Sequence, residues 1–159
     1  MTVMIQGDQV TAIGLGIRVE KTGASVAAAD DIFDVTGEVL VTLMYGVVTT
    51  VVAGGTAPEL LVNIKDGSNT ALAVSTVITS DAVDTVYVVT GDFGVALNGA
   101  DAPIVGAGGA ASAPFNPFIL DDITVETTPG GGAAATSGAV KWVMYYLPLS
   151  DGASVAAAA

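Results

Sequence analysis

The stretch Glu38-Val39-Leu40-Val41-Thr42-Leu43-Met44-Tyr45-Gly46-Val47-Val48-Thr49-Thr50-Val51-Val52 carries the strongest structural signal in the chain. β-Branched and aromatic side chains crowd it, and these fit a pleated strand better than a helix. Strand alternation puts Val39, Val41, Leu43 and Tyr45 on one face and Leu40, Thr42 and Met44 on the other. Both sets are mostly apolar, so the run reads as a strand buried on both faces, or bent between two sheets. Gly46 interrupts the alternation as at a bulge or bend, and Val47–Val52 resumes it. The uncharged stretch from Val39 to Pro58 is long enough for a membrane helix. Its Val and Thr content, Gly46, Gly54-Gly55 and the lack of flanking Lys or Arg favour strands instead.

Outward from this run the same period continues. Val10–Ile13 and Gly16–Lys21 read as short strands around Gly14, and Thr22–Asp30 as a small-residue loop. Asp31–Val35 leads into the central run. Leu60–Lys65, closed by the turn pair Asp66-Gly67, pairs as a hairpin with Thr70–Val74. Asp84–Thr90 and Val95–Leu97 follow, the latter closed by Asn98-Gly99. Phe118–Glu126 reads as one strand, with Asp121-Asp122 forcing a bulge. Val140–Leu147 is the last, with Val140, Trp142, Met144 and Tyr146 on one face, and Pro148 stops it. Trp142 is expected in the core, serving packing. About eight or more strands with no amphipathic helix of three turns predict an all-β fold, an antiparallel β-sandwich or jelly-roll-like domain with long Gly/Ala-rich loops. Residues 1–150 are expected to form one domain. Ala100–Pro117 forms an extended loop or arm, ordered where it lies on a neighbouring subunit with Phe115 as anchor. Residues 151–159 are a flexible Ala-rich tail.

Composition narrows the function. The chain has 159 residues, 52% of them hydrophobic and 13% charged. Much of the apolar content is Ala and Val, which make flat surfaces suited to contact with other subunits. Cysteine and histidine are absent. That removes disulfides, thiolate nucleophiles, the usual zinc ligands and the proton shuttle most acid–base enzymes use. Four basic residues, Arg18, Lys21, Lys65 and Lys141, stand against 16 acidic ones, for a net charge of −12. That sign repels phosphate backbones and argues against nucleic-acid binding. The start Met1-Thr2-Val3-Met4-Ile5 lacks the basic region of a signal peptide, so synthesis in a cytoplasm is expected, with no membrane partner.

Candidate chemistry is sparse. The pairs Asp30-Asp31 and Asp121-Asp122 are the obvious carboxylate clusters. Neighbours on a strand point to opposite faces, so neither pair is a dyad by itself. One carboxylate from each could meet, as a glycosidase or a Ca²⁺ site would require, but no spaced Asp-x-Asp-x-Asp-Gly loop is present. Gly106-Ala107-Gly108-Gly109-Ala110-Ala111 lacks the strand–helix context of a dinucleotide fingerprint and reads as loop. The expectation is therefore a non-enzymatic chain with no catalytic residue, no metal and no cofactor. Its candidate subunit contacts are Phe115 and Tyr145.

Two stretches carry a resemblance. Ile32-Phe33-Asp34-Val35-Thr36-Gly37-Glu38-Val39-Leu40-Val41, continuing to Tyr45-Gly46-Val47-Val48-Thr49, is similar to small proteins encoded among the head genes of tailed bacteriophages. So is Gly138-Ala139-Val140-Lys141-Trp142 through Tyr145-Tyr146-Leu147-Pro148-Leu149-Ser150. The resemblance implies a virion structural protein of the capsid decoration (cement) type on the outer surface of the head. It would be made in the host cytoplasm, form a homo-oligomer, commonly a trimer, and bind the major capsid protein. The alternatives are another virion component (a head fibre, tail or baseplate protein touching the host surface) and, behind it, a carboxylate-based glycosidase.

Overall fold

In the computed structural model, residues 14–100 and 116–159 are described. Among these described residues eleven strands follow in chain order: β1 Ile17–Ser25, β2 Asp30–Thr36, β3 Glu38–Ala53, β4 Glu59–Ile64, β5 Ala71–Val77, β6 Val86–Val89, β7 Asn98–Ala100, β8 Phe118–Asp121, β9 Thr124–Pro129, β10 Ser137–Pro148 and β11 Ser154–Ala157. The fold is all-β. One sheet has the order β1-β10-β3-β6-β7, with β8 also paired to β3; the other runs β11-β2-β9-β4-β5. All these pairings are antiparallel. The inner positions of both sheets join in a single apolar core. From the first sheet come Val39, Val41, Met44, Val48, Tyr87, Val89, Val140, Trp142 and Met144, and from the second Phe33, Val35, Leu60, Val62, Leu72 and Val125.

The central run is one strand, but its faces change over partway along. Val39 and Val41 point inward, then Met44, Gly46 and Val48 do. The switch falls at Thr42, where Tyr145 lies opposite Leu43 and Tyr146 opposite Val41, leaving Thr42 unpaired. An extra residue in one strand shifts the side-chain phase by one, so Leu43 and Tyr45 face outward rather than sharing the Val39 face. Gly46, expected at the irregularity, sits in regular register between Trp142 and Tyr87 on its two neighbouring strands. A Cβ there would come within 2.9 Å of the Trp142 ring and 2.7 Å of Val140 Cγ1. Gly46 is thus the floor on which the indole lies, and Trp142 is fully buried, as expected.

Four other expectations change. Phe118–Glu126 is not one strand: β8 pairs in the first sheet and β9 in the second. The Asp pair marks the corner between them. Asp122 has φ +42 and its carboxylate accepts the Gly37 amide at 2.6 Å, so a short polar side chain holds the left-handed corner. Thr22–Ser25 belongs to β1, which continues past a register shift after Lys21. Asn98-Gly99 lies in β7 rather than in a turn, and Val74 N–H donates to Val95 C=O at 3.1 Å, tying β5 to the approach of β7. The C-terminal stretch expected as a tail is β11. It pairs with β2, buries Val155, and Ala158 N–H donates to Ile32 C=O at 3.2 Å. Small side chains place no steric limit on an edge strand, and the free edge of β2 supplies the missing backbone partners. Lys21 Nζ donates to Ala158 C=O at 2.8 Å, closing the gap between the edges β1 and β11. The Val10–Ile13 strand and the 101–115 part of the expected arm lie outside the described residues.

Candidate protein-contact face

Once the inner positions are assigned, the pleat dictates what each sheet shows outward. On the first sheet the outward positions form rows across neighbouring strands. Ile119, Leu40 and Leu147 align on β8, β3 and β10. The next row is Leu43, Tyr145 and Arg18; then come Val88, Tyr45, Val143 and Glu20; then Val86, Val47 and Lys141. Of these thirteen side chains eight are aliphatic and two are tyrosines, and the three charged ones, Arg18, Glu20 and Lys141, are confined to β1 and β10.

The face is graded in exposure. Val143 is fully buried among its outward neighbours, and Leu40, Leu43, Tyr45, Val47, Val86, Val88 and Tyr145 are half-buried. Leu147 is 40% exposed and Ile119 55%. The Thr42 hydroxyl lies within hydrogen-bonding reach of the carbonyls of Leu15 and Tyr145, which brings the start of β1 against this face. Arg18 pairs with Glu20 along β1, and that hydrogen bond raises the guanidinium pKa further above its ordinary value. Burial pushes the Tyr45 phenol up, and neighbouring Tyr145 adds to this while Arg18 opposes it.

The second sheet shows different chemistry outward. Asp34 accepts the Thr124 hydroxyl at 2.8 Å, Lys65 pairs with Asp31 at 2.9 Å, and Asn63 donates to Thr128 Oγ1 at 2.7 Å. Glu126 stands across from Asn63. The Asp31 pairing raises the Lys65 pKa. At the hairpin, Asp66 accepts the amides of Ser68 and Thr70 and the Thr70 hydroxyl, and these bonds lower its pKa.

Of the expected contact residues, Tyr145 lies on the apolar outward face and Phe115 lies outside the described residues. The two Asp pairs are spent separately: Asp30 accepts the Ser25 amide, Asp31 holds Lys65, Asp122 holds Gly37, and Asp121 is exposed at the end of β8. Among the described residues no group of three or more His, Cys, Asp or Glu is placed to hold a metal ion, and no helix is long and apolar enough to cross a membrane. Leu40, Leu147 and Ile119 were not singled out from sequence. Their signal was present as apolar residues at the alternate positions of strands already apolar on the inner face. Comparison with protein-family models, curated proteins and solved structures finds no match.

Proposed function

We propose that this chain is a virion structural protein of the capsid decoration type, which works by assembling through the outward face of its first sheet. The observation that carries the reading is the apolar outward face on one sheet set against a polar, acidic one on the other. A face of Leu, Val and Tyr left to water gains by burial against protein, whereas the acidic face keeps the particle soluble.

Strand order adds support for the finer fold. Taking β1–β6, β9 and β10 as eight strands in order, one sheet reads 1-8-3-6 and the other 2-7-4-5. That interleaving supports reading the two sheets as a jelly-roll sandwich, an architecture common to viral capsid and lectin domains. The fold alone names no function; the apolar face and the resemblance to phage head proteins turn it toward the virion.

The test is binding of the purified chain to expanded empty phage heads, followed by cryo-EM localisation on the particle. Saturable density on the outer shell is expected. Absence of binding to heads, or density on the tail, overturns the decoration reading.

A further inference from the structure

The approach to β1 does not run along the edge of the first sheet. β1 neighbours β10, and β10 separates it from β3. Yet Thr42, on β3, donates its hydroxyl to the carbonyl of Leu15, two residues before β1 begins. To reach Thr42 the backbone has to pass across β10, about 10 Å from the line of β1. Gly16 makes the crossing. Its φ is +95, and a Cβ there would collide with the Tyr146 carbonyl and come within 3.0 Å of Leu147 Cδ2. Leu147 points outward, and Gly14 and Leu15 are exposed, so the crossing is made on the outward side and not through the core. Leu15 therefore sits over the apolar field, between the row of Leu40 and Leu147 and the row of Leu43 and Tyr145.

We infer that residues 1–13 of the same chain continue over this face and cover part of it in the free protein. The inference concerns the free chain and does not rest on the virion reading. Exposure along the face says which part is covered. On one side of Leu15, Ile119 is 55% and Leu147 40% exposed. On the other side Val143 is fully buried although it points outward, and Tyr45, Val47, Val86 and Val88 are half-buried. The segment lies on this second side, across Val143, Tyr45 and Val88. Ile119 and Leu147 stay open, and that end of the face is what remains for a partner.

Residues 1–13 suit the place. Val3, Met4, Ile5, Val10 and Ile13 supply apolar side chains, and Asp8 is the single charged residue. Thirteen residues span about 20 Å as a helix and about 43 Å extended, against about 15 Å from β1 across β10 and β3 to β6. Either conformation crosses the field. Because Leu15 is already on the face, covering it is intramolecular, at an effective concentration on the order of millimolar. A second copy would bring a charge of −12 against −12, whereas the segment brings one carboxylate. Packing Met, Ile and Val side chains on Val143, Tyr45 and Val88 removes apolar surface from water on both sides of the contact.

The test uses the full chain. It has no cysteine, so a nitroxide attached at Gln6→Cys labels one position. At low protein concentration the label should broaden the amide NMR signals of Tyr45, Val88 and Val143 and leave those of Asp34 and Thr124, outward on the second sheet, sharp. Spin-labelled chain mixed with isotope-labelled, unmodified chain should give no broadening. Adding Ile5→Asp and Val10→Asp to the labelled chain should release the segment. The broadening is then lost and the fluorescence of an added dye that binds apolar surface rises severalfold, while the melt stays cooperative because the core is untouched. Sharp signals at Tyr45, Val88 and Val143, or equal broadening on both sheets, overturn the inference. Broadening in the mixed sample overturns it too, since the cover is then the segment of a second copy. So does dye fluorescence that the two Asp substitutions leave unchanged.

Discussion

The two outward faces of the molecule are built on the same strand geometry and carry opposite chemistry. On the first sheet the positions alternating with the core are Leu40, Tyr45, Val47, Val143 and Tyr145; on the second they include Asp34, Asn63, Thr124 and Glu126. The inner positions do not differ in this way. Trp142 and Met144 face Phe33 and Val125 within one core, and all are fully buried. The fold is therefore decided by what the sheets share, and the function proposed here by what they do not. An antiparallel sheet that met water on its outer side would alternate apolar and polar residues. The second sheet does so at Asp34 and Thr124, though Asn63 and Glu126 are buried polar groups and Leu61 is apolar, and the first does not.

The largest expected effect tests the equivalence of the two inner faces. Trp142→Ala under the apolar face and Phe33→Ala under the polar one should each cost about 3–5 kcal/mol, since both empty a packed core site. Thermal melts should fall by about 10 °C or more in both cases at this chain length. A large loss for one and a small one for the other would break the symmetry of the core. Gly46 belongs to the same argument, because its missing Cβ is what admits the indole.

Next comes the apolar face itself, which is not uniformly surface. Val143 is fully buried while Ile119, on the same face, is 55% exposed. Val143→Asp should cost on the order of 3 kcal/mol by burying a charge without a partner. Ile119→Asp should stay within about 0.5 kcal/mol, as surface changes do. Denaturant midpoints measured at low protein concentration separate the two; equal effects would mean the face is either all core or all surface.

The second sheet has its own test at its edge. Deleting Ser154–Ala159 removes β11, the burial of Val155 and the Lys21 contact, and should cost about 2 kcal/mol. It also bares the edge of β2, so the truncated chain should self-associate through backbone pairing in a way that Ile119→Asp does not prevent. Unchanged stability and hydrogen exchange in β2 would return these residues to the status of a tail.

Much of this was legible from the residues, and the failures have a common cause. Val140–Leu147 was assigned to the correct faces because nothing interrupts its period between Val140 and Tyr145. Glu38–Val52 was recognised as a strand, but its faces were exchanged beyond Thr42, since a bulge residue looks like any other threonine until its partner strand is known. Gly46 drew attention as the visible irregularity, though its role is space for Trp142, a contact about a hundred residues away in sequence. Asp121-Asp122 was noticed, but a corner between sheets and a bulge within one use the same residues. The edge strand β11 was missed because Ala carries little strand preference, and only the open edge of β2 makes it one. The apolar outward face was half seen, as a strand buried on both sides; which residues line up beside it is set by pairing with distant strands, which one strand's periodicity does not contain.

The smallest expected effect asks whether the faces differ in electrostatics as they do in polarity. Tyr45 and Lys65 both have raised pKa values, for different reasons: burial leads for Tyr45, and the hydrogen bond and charge of Asp31 lead for Lys65. For each, the folded state holds its proton more tightly than the unfolded chain. Each therefore adds stability that is fully present below the unfolded value, near 10 for Tyr and about 10.4 for Lys, and is lost as pH rises through the folded value. Salt should separate them. At about 1 M ionic strength the Debye length is about 3 Å, so the exposed Lys65–Asp31 pair is screened while desolvation of a half-buried phenol is not. NMR titration of the Lys65 side chain should move toward its ordinary value in high salt, and as far in Asp31→Asn without salt. Phenolate absorbance assigned by difference against Tyr45→Phe should keep its raised midpoint under the same conditions. If both midpoints fall together with salt, Tyr45 is held by charge rather than by its apolar surroundings, and the outward face of the first sheet is wetter than its residues suggest.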